Sequence, residues 1–121
     1  MMRVYVDTNI FMDFIEERFH LNFFERSLKC EVEIVISDVV IRELKYQKID
    51  SMSLISWLTF AKKIQIIRVK PEDSSAARQF KTHFNDALHI VLAEKKCDAL
   101  LTRNTKDFFE AKIPVLHPDS I

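Results

Sequence analysis

Residues 85–108 read NDALHIVLAEKKCDALLTRNTKDF, and the order of textures along this stretch decides the fold. Asn85 to Lys96 is very apolar and long enough for a helix. Ala99 to Thr102 is a short apolar run that suits a buried strand, and Asn104 and Asp107 follow it closely. A helix that feeds a continuously apolar strand is the building unit of a parallel sheet whose two faces are both covered.

The same alternation extends outward in both directions. Upstream, Asp73–Lys81 predicts a helix, Ile64–Val69 a third strand closed by Pro71, and Ser51–Lys62 a helix with Leu54, Ile55, Leu58 and Ala61 on one side. Before these, Val32–Ile36 reads as a strand. Ser37 is placed to cap the next helix, with Asp38 favourable in its first turn and Val40, Ile41, Glu43 and Leu44 along it. At the start, Arg3–Val6 is a buried strand ending at Asp7, followed by helices over Asn9–Glu17 and His20–Lys29. Downstream, Ile113–Leu116 is a fifth strand; Pro114 within it and Pro118 after it assign it to a sheet edge. The expectation is an α/β three-layer sandwich, a parallel sheet between helices, forming a single domain over residues 1–121.

Composition bounds the function. At 121 residues and 48% hydrophobic the chain supports one core, and ten Phe fill it. Phe11, Phe14, Phe19, Phe23 and Phe24 present more apolar surface than two short helices easily hide, which suggests a partner or dimer face. Asp7, Asp13, Glu16 and Glu17 interrupt anything resembling a targeting peptide, and no apolar run approaches the roughly 20 residues of a membrane span, so a cytoplasmic protein is expected. Cys30 and Cys97 form neither a C-x-x-C pair nor a zinc ligand set and read as buried free thiols.

Eighteen basic and eighteen acidic side chains cancel, so global charge gives no steering toward nucleic acid. A metal-loaded acidic pocket would still present positive charge locally. The chain has no glycine. That excludes the dinucleotide fingerprint, the P-loop and the nucleophile elbow, all of which need glycine for close backbone approach. Phosphate chemistry would have to run through metal ions.

Acids fall where such a sheet binds ligands, beyond the carboxyl ends of its strands. Asp7 ends strand one. Glu43 lies about two helical turns past strand two. Asp86 opens the helix leading back into strand four, which puts it at the same end. Each also has a structural reading: Asp7 or Thr8 as a helix cap, Asp86 as a complement to the helix dipole after an Asn85 cap, Glu43 as a solvated helix residue. For Glu43, however, the residues three and four positions away are Val39, Val40, Tyr46 and Gln47, none of them a cation. Clustered carboxylates repel and raise one another's pKa unless a cation neutralises them. Hard ions such as Mg²⁺ prefer such oxygens, and one or two of them can activate water and stabilise the leaving oxygen of a phosphodiester.

VYVDTNIFMDF (4–14), VVIRELKY (39–46), the 85–108 stretch and IPVL (113–116) together resemble a PIN domain over about residues 3–116, within it the VapC subgroup of toxin nucleases from prokaryotic toxin–antitoxin pairs. The resemblance implies a sheet of strand order 3-2-1-4-5. It also implies a Mg²⁺- or Mn²⁺-dependent ribonuclease leaving a 5′-phosphate and a 3′-hydroxyl. Asp7, Glu43 and Asp86 match the metal-holding acids, and Thr8 the hydroxyl beside the first. Asn104 stands where many relatives carry a fourth acid, and Asp107 is the nearby acid that would bind through water. Cys97 occupies a turn where relatives often carry glycine. By the same resemblance, the partners are an RNA substrate, an antitoxin segment docking over the cleft and a second copy of the chain.

Arg103, Lys106, Arg18 and Arg42 are candidate phosphate holders, each with ordinary solvated charge as the plainer reading. His83 and His89 flank Asp86; a histidine metal role is weakly indicated, and His89 could instead sit near substrate. Trp57 fits core or interface better than base stacking. A non-catalytic PIN-like binding module, kept alive by Asn104, and a PIN nuclease of RNA maturation remain as alternatives. A phosphoacceptor domain lacks its Asp and Lys-Pro positions.

Overall fold

The computed structural model describes residues 2–17, 21–29, 31–46 and 64–120. Five strands form one parallel sheet in the order β3-β2-β1-β4-β5: β1 Met2–Val6, β2 Val32–Ser37, β3 Ile64–Ile67, β4 Ala99–Leu101 and β5 Val115–Leu116. Both the strand order and the layering match the expectation.

Val4, Tyr5 and Val6 are consecutive and all fully buried. Neighbouring strand residues point to opposite faces, so burial of all three means that both faces of the central strand are covered. The edges behave differently. β3 is only partly buried, with Ile66 exposed, and β5 is a half-buried pair. Pro114 lies just before β5 and takes part through its carbonyl, which accepts Leu100 N–H at 2.9 Å, so its missing N–H costs the sheet nothing.

The helices are α1 Thr8–Glu17, α2 Leu21–Leu28, α3 Asp38–Tyr46, α4 Pro71–Ala77 and α5 Phe84–Lys96, with 3₁₀ turns at Thr105–Phe108 and Pro118–Ser120. The expected helix over Ser51–Lys62, with Trp57, lies outside the described residues, as do Arg18, His20 and Cys30. Among the described residues no helix is long and apolar enough to cross a membrane.

Three local expectations change. Pro71 does not close the third strand; it begins α4, where its fixed φ suits a first helical turn and its missing N–H has no intrahelical partner to lose. β3 therefore stops at Ile67, and Val69 N–H turns to the Asp38 carboxylate at 3.2 Å. α4 then ends at Ala77 instead of Lys81, because Gln79 and Phe80 donate three residues back, to Ala76 and Ala77, in a tightened final turn. The third concerns Ser37, whose hydroxyl is engaged with the Tyr5 hydroxyl at 2.7 Å inside the core.

Of the five early phenylalanines, Phe11, Phe23 and Phe24 are buried in the main core. Phe11 and Phe23 each set a tilted or edge-on ring against Phe24, at 5.7 and 5.3 Å between centroids. These three therefore supply interior and give no argument for a partner face; the side chains of Phe14 and Phe19 lie outside the description. Cys97 is a buried free thiol, as expected.

Candidate active site

Because β1, β2 and β4 are parallel, their carboxyl ends meet along one rim. Asp7 is the first residue beyond β1, and its N–H donates to Leu101 carbonyl at 2.9 Å, which locks it to the end of β4. Its side chain is buried and held on both oxygens. Oδ1 accepts Thr8 N–H at 2.8 Å; Oδ2 accepts the Thr102 hydroxyl at 2.8 Å and the Asn9 amide at 3.1 Å.

Glu43 reaches the same place from α3. The Thr8 hydroxyl donates to its Oε1 at 2.8 Å, and His89 Nε2 meets that same oxygen at 2.8 Å. His89 Nε2 also stands 3.7 Å from Asp7 Oδ1, so one imidazole sits between the two acids. Burial opposes ionisation of Glu43, yet the hydrogen bond and charge of His89, with the Thr8 hydroxyl and Arg42, hold its carboxyl below the ordinary value. At His89 burial disfavours the charged ring, but the Glu43 bond and the charges of Asp7, Glu43 and Asp86 raise its pKa.

Asp86, in the first turn of α5, completes the group electrostatically. Its carboxyl is pushed above the usual carboxylate value by partial burial and by the charge of Asp7; Asp107 and Glu43 push the same way, and His89 pulls against them. The side chain of Asp86 forms no hydrogen bond or ion pair with a described residue. Four acids from four segments thus act on one neighbourhood.

The remaining candidates divide. Asn104 and Asp107 are exposed at the 3₁₀ turn after β4, joined by the Asp107 N–H to Asn104 carbonyl bond at 3.0 Å, while Asn104 N–H donates to Thr102 Oγ1 at 3.1 Å. Lys106 is exposed on the same turn. Arg42 is exposed and, with Glu43, Tyr46 and Asn85, lines a hollow of about 390 Å³ next to the acids. Arg103 is not a free cation: its guanidinium is paired with the buried Asp13.

Sequence reasoning overlooked Tyr5, Asn9 and Thr102 as members of the site and underrated His89. Thr102 was legible in principle, as a hydroxyl at the end of the strand adjoining β1. Tyr5 was hidden by its place in an apolar strand, where its ring reads as core.

Among the described residues no group of three or more His, Cys, Asp or Glu side chains forms a site that could hold a metal ion as it stands. The donors nevertheless suit one chemically. They are carboxylates with no thiolate among them, the choice of a hard cation. The Asp86 carboxyl is raised first by burial and then by the negative charge of Asp7, and a cation would relieve the second of these.

The PIN-domain pattern matches residues 4–113. The chain belongs to the PIN-domain family. No curated protein sequence matches it. Among solved structures, this PIN domain is similar to a chain of VapBC2 from Rickettsia felis bound to a promoter DNA fragment, at 20% identity and TM-score 0.68, covering 96% of this chain and 98% of that one. A chain of DNA-bound VapBC from Salmonella typhimurium gives 15% identity and TM-score 0.70, covering 98% and 99%. A toxin–antitoxin complex from Klebsiella pneumoniae gives 24% identity and TM-score 0.66, covering 95% and 97%. At these identities the likeness speaks for the fold.

Proposed function

We propose that this PIN domain is a Mg²⁺- or Mn²⁺-dependent endoribonuclease, the VapC-like toxin of a toxin–antitoxin pair acting in the cytoplasm. The observation that carries this reading is the meeting of Asp7 and Glu43 at one rim, 36 residues apart in the chain, where Thr8 bonds both and the His89 ring stands between them, with Asp86 opening α5 three residues before His89. Family membership and the similarity to chains from VapBC complexes support it.

In this reading Asp7, Glu43 and Asp86 would hold the ion, and Asp107 and Asn104 would support it from the turn after β4. The chemistry such an ion would supply, if bound there, is activation of water and compensation of charge on the phosphodiester. The protein's own work is orientation. Thr8 ties Asp7 to Glu43, using its N–H for one and its hydroxyl for the other. Thr102 and Asn9 fix the second oxygen of Asp7. Both bonds to Glu43 end on Oε1, which leaves Oε2 for a ligand. Lys106 and Arg42 are exposed, and in this reading they meet RNA phosphates. Arg103 would have to leave Asp13 to do so, and Arg18 is proposed for that role on sequence grounds alone. An antitoxin segment covering the cleft, and a second copy of the chain, complete the proposed assembly.

The test is cleavage of RNA by the purified chain with Mn²⁺ or Mg²⁺ and with a chelator. Asp7→Asn and Asp86→Asn should each lower the rate by at least about a hundredfold, the scale expected when a ligand that positions the charge-stabilising ion is lost. Undiminished cleavage by both folded variants would falsify the assignment. Growth arrest on expression, relieved by the product of the adjacent gene, tests the toxin role.

A further inference from the structure

Beneath the acids three hydrogen bonds run in series through the core. Ser37 Oγ meets Tyr5 OH at 2.7 Å, Tyr5 OH meets His89 Nδ1 at 2.7 Å, and His89 Nε2 meets Glu43 Oε1 at 2.8 Å. Ser37 and Tyr5 are fully buried and His89 is 1% exposed, yet the Glu43 side chain is 29% exposed. The series therefore begins on β2, crosses β1 at Tyr5 and α5 at His89, and emerges at a site acid on α3.

Filling this space with apolar side chains would avoid burying three polar tips, each of which costs stability unless matched. All three are matched by their neighbours in the series. A carboxylate only accepts, so Nε2 must carry the hydrogen and donate to Glu43, whatever the state of the ring. With Nδ1 held by Tyr5 and Nε2 by Glu43, the imidazole can neither flip nor swing. Tyr5 also leans its ring against it, with 5.5 Å between centroids and 56° between planes. Glu43 by contrast is partly exposed near the end of a helix whose last two residues, Lys45 and Tyr46, are exposed, and it has three side-chain torsions to restrain.

We propose that the Ser37–Tyr5–His89 relay is a positioning device for Glu43, gripping Oε1 from inside the core so that Oε2 is presented beside Asp7 and Asp86. This rests on the metal-centre reading above. His89 is a positioning residue and touches neither ion nor RNA. Its ring, 3.7 Å from Asp7 Oδ1, also fixes the spacing of the two acids. Supports of this kind behind metal-binding side chains commonly account for 10- to 100-fold in affinity or activity.

The test uses the full chain and Mn²⁺ as probe. Mn²⁺ affinity is measured calorimetrically with no RNA present, alongside RNA cleavage. His89→Leu should weaken Mn²⁺ binding by about 10- to 100-fold and Tyr5→Phe by about tenfold. His89→Gln, which restores an N–H donor toward Glu43, should recover most of the loss. In the metal-free protein, a slowly exchanging downfield proton from the His89 Nε2–H should be visible by magnetic resonance, shift in Tyr5→Phe and vanish in His89→Gln. Should His89→Leu fail to fold, Tyr5→Phe and His89→Gln carry the test. Native-like Mn²⁺ affinity in folded Tyr5→Phe and His89→Leu, in a chain that binds Mn²⁺ and cuts RNA, overturns the positioning role alone. A native chain that binds no Mn²⁺ overturns the metal-centre reading and this role with it.

Discussion

Asp73 and Asp86 both stand in the first turn of a helix, each as the third residue, of α4 and α5 respectively, and their surroundings are opposite. Asp73 is buried and fully answered: it accepts Lys70 N–H at 2.9 Å and pairs with Lys95 at 3.0 Å. Burial opposes its ionisation, but the Lys70 bond and the Lys95 charge hold its carboxyl below the ordinary value. Asp86 has no such partner among the described residues, and burial together with the charge of Asp7 holds its carboxyl high. One acid is spent on holding two helices together. The other is kept at a cost to stability, which is the mark of a group retained for chemistry.

The difference can be broken most sharply by paired substitution. Asp86→Asn should abolish RNA cleavage, by about a hundredfold or more, while leaving thermal stability unchanged or higher. Asp73→Asn should do the reverse, keeping cleavage near native and lowering stability by about 2 kcal/mol in denaturant titration through the lost cap and broken pair. Loss of cleavage in a folded Asp73→Asn would blur the division between the two acids.

Metal addition gives the next largest effect. Mn²⁺ at a hundred times its dissociation constant should stabilise the native chain by about 2.7 kcal/mol, seen as a rise in Tm, and should do little for Asp86→Asn. An equal rise in both would move the ion elsewhere.

Acid sharpens the contrast further, because the two shifts have opposite signs. A depressed folded pKa gives Asp73 a stabilising contribution that is present above the unfolded value of about 3.9 and is lost as pH falls through the folded value. A raised folded pKa makes Asp86 contribute fully below about 3.9 and lose that contribution as pH rises through its folded value. Between about pH 4 and neutrality, Asp86→Asn should therefore flatten a fall in stability with rising pH. Below about pH 4, Asp73→Asn should flatten the acid loss. Unfolding curves collected across that range for the native chain and both variants check the two signs. The smallest effect belongs to Cys97, whose thiol is pushed up to about 12 by burial; alkylation at pH 8 should be negligible until the chain is unfolded.

Much of the sheet was legible because each strand is a short apolar run and each connection long enough for a crossover. That fixed parallel pairing and so put Asp7, Glu43 and Asp86 at one rim. What stayed hidden were pairings between residues distant in the chain. Arg103 looked like a free cation beside Asn104, and its tie to Asp13 spans 90 positions that spacing cannot connect. Tyr5 and His89 each sit in apolar surroundings in sequence, and only folding reveals that their polar tips meet. Pro71 was misjudged for a different reason: a proline that ends a strand and one that starts a helix look alike until the following residues choose.

The strand at the middle of the sheet is made well before its neighbour β4, which pairs Leu101 with Val6. Asp7 waits on Thr102, 95 residues later, for one of its bonds. A chain still emerging from the ribosome accordingly lacks a finished centre until Thr102 has been translated. Any activity that depends on this centre would thus be withheld until β4 and Thr102 have joined β1.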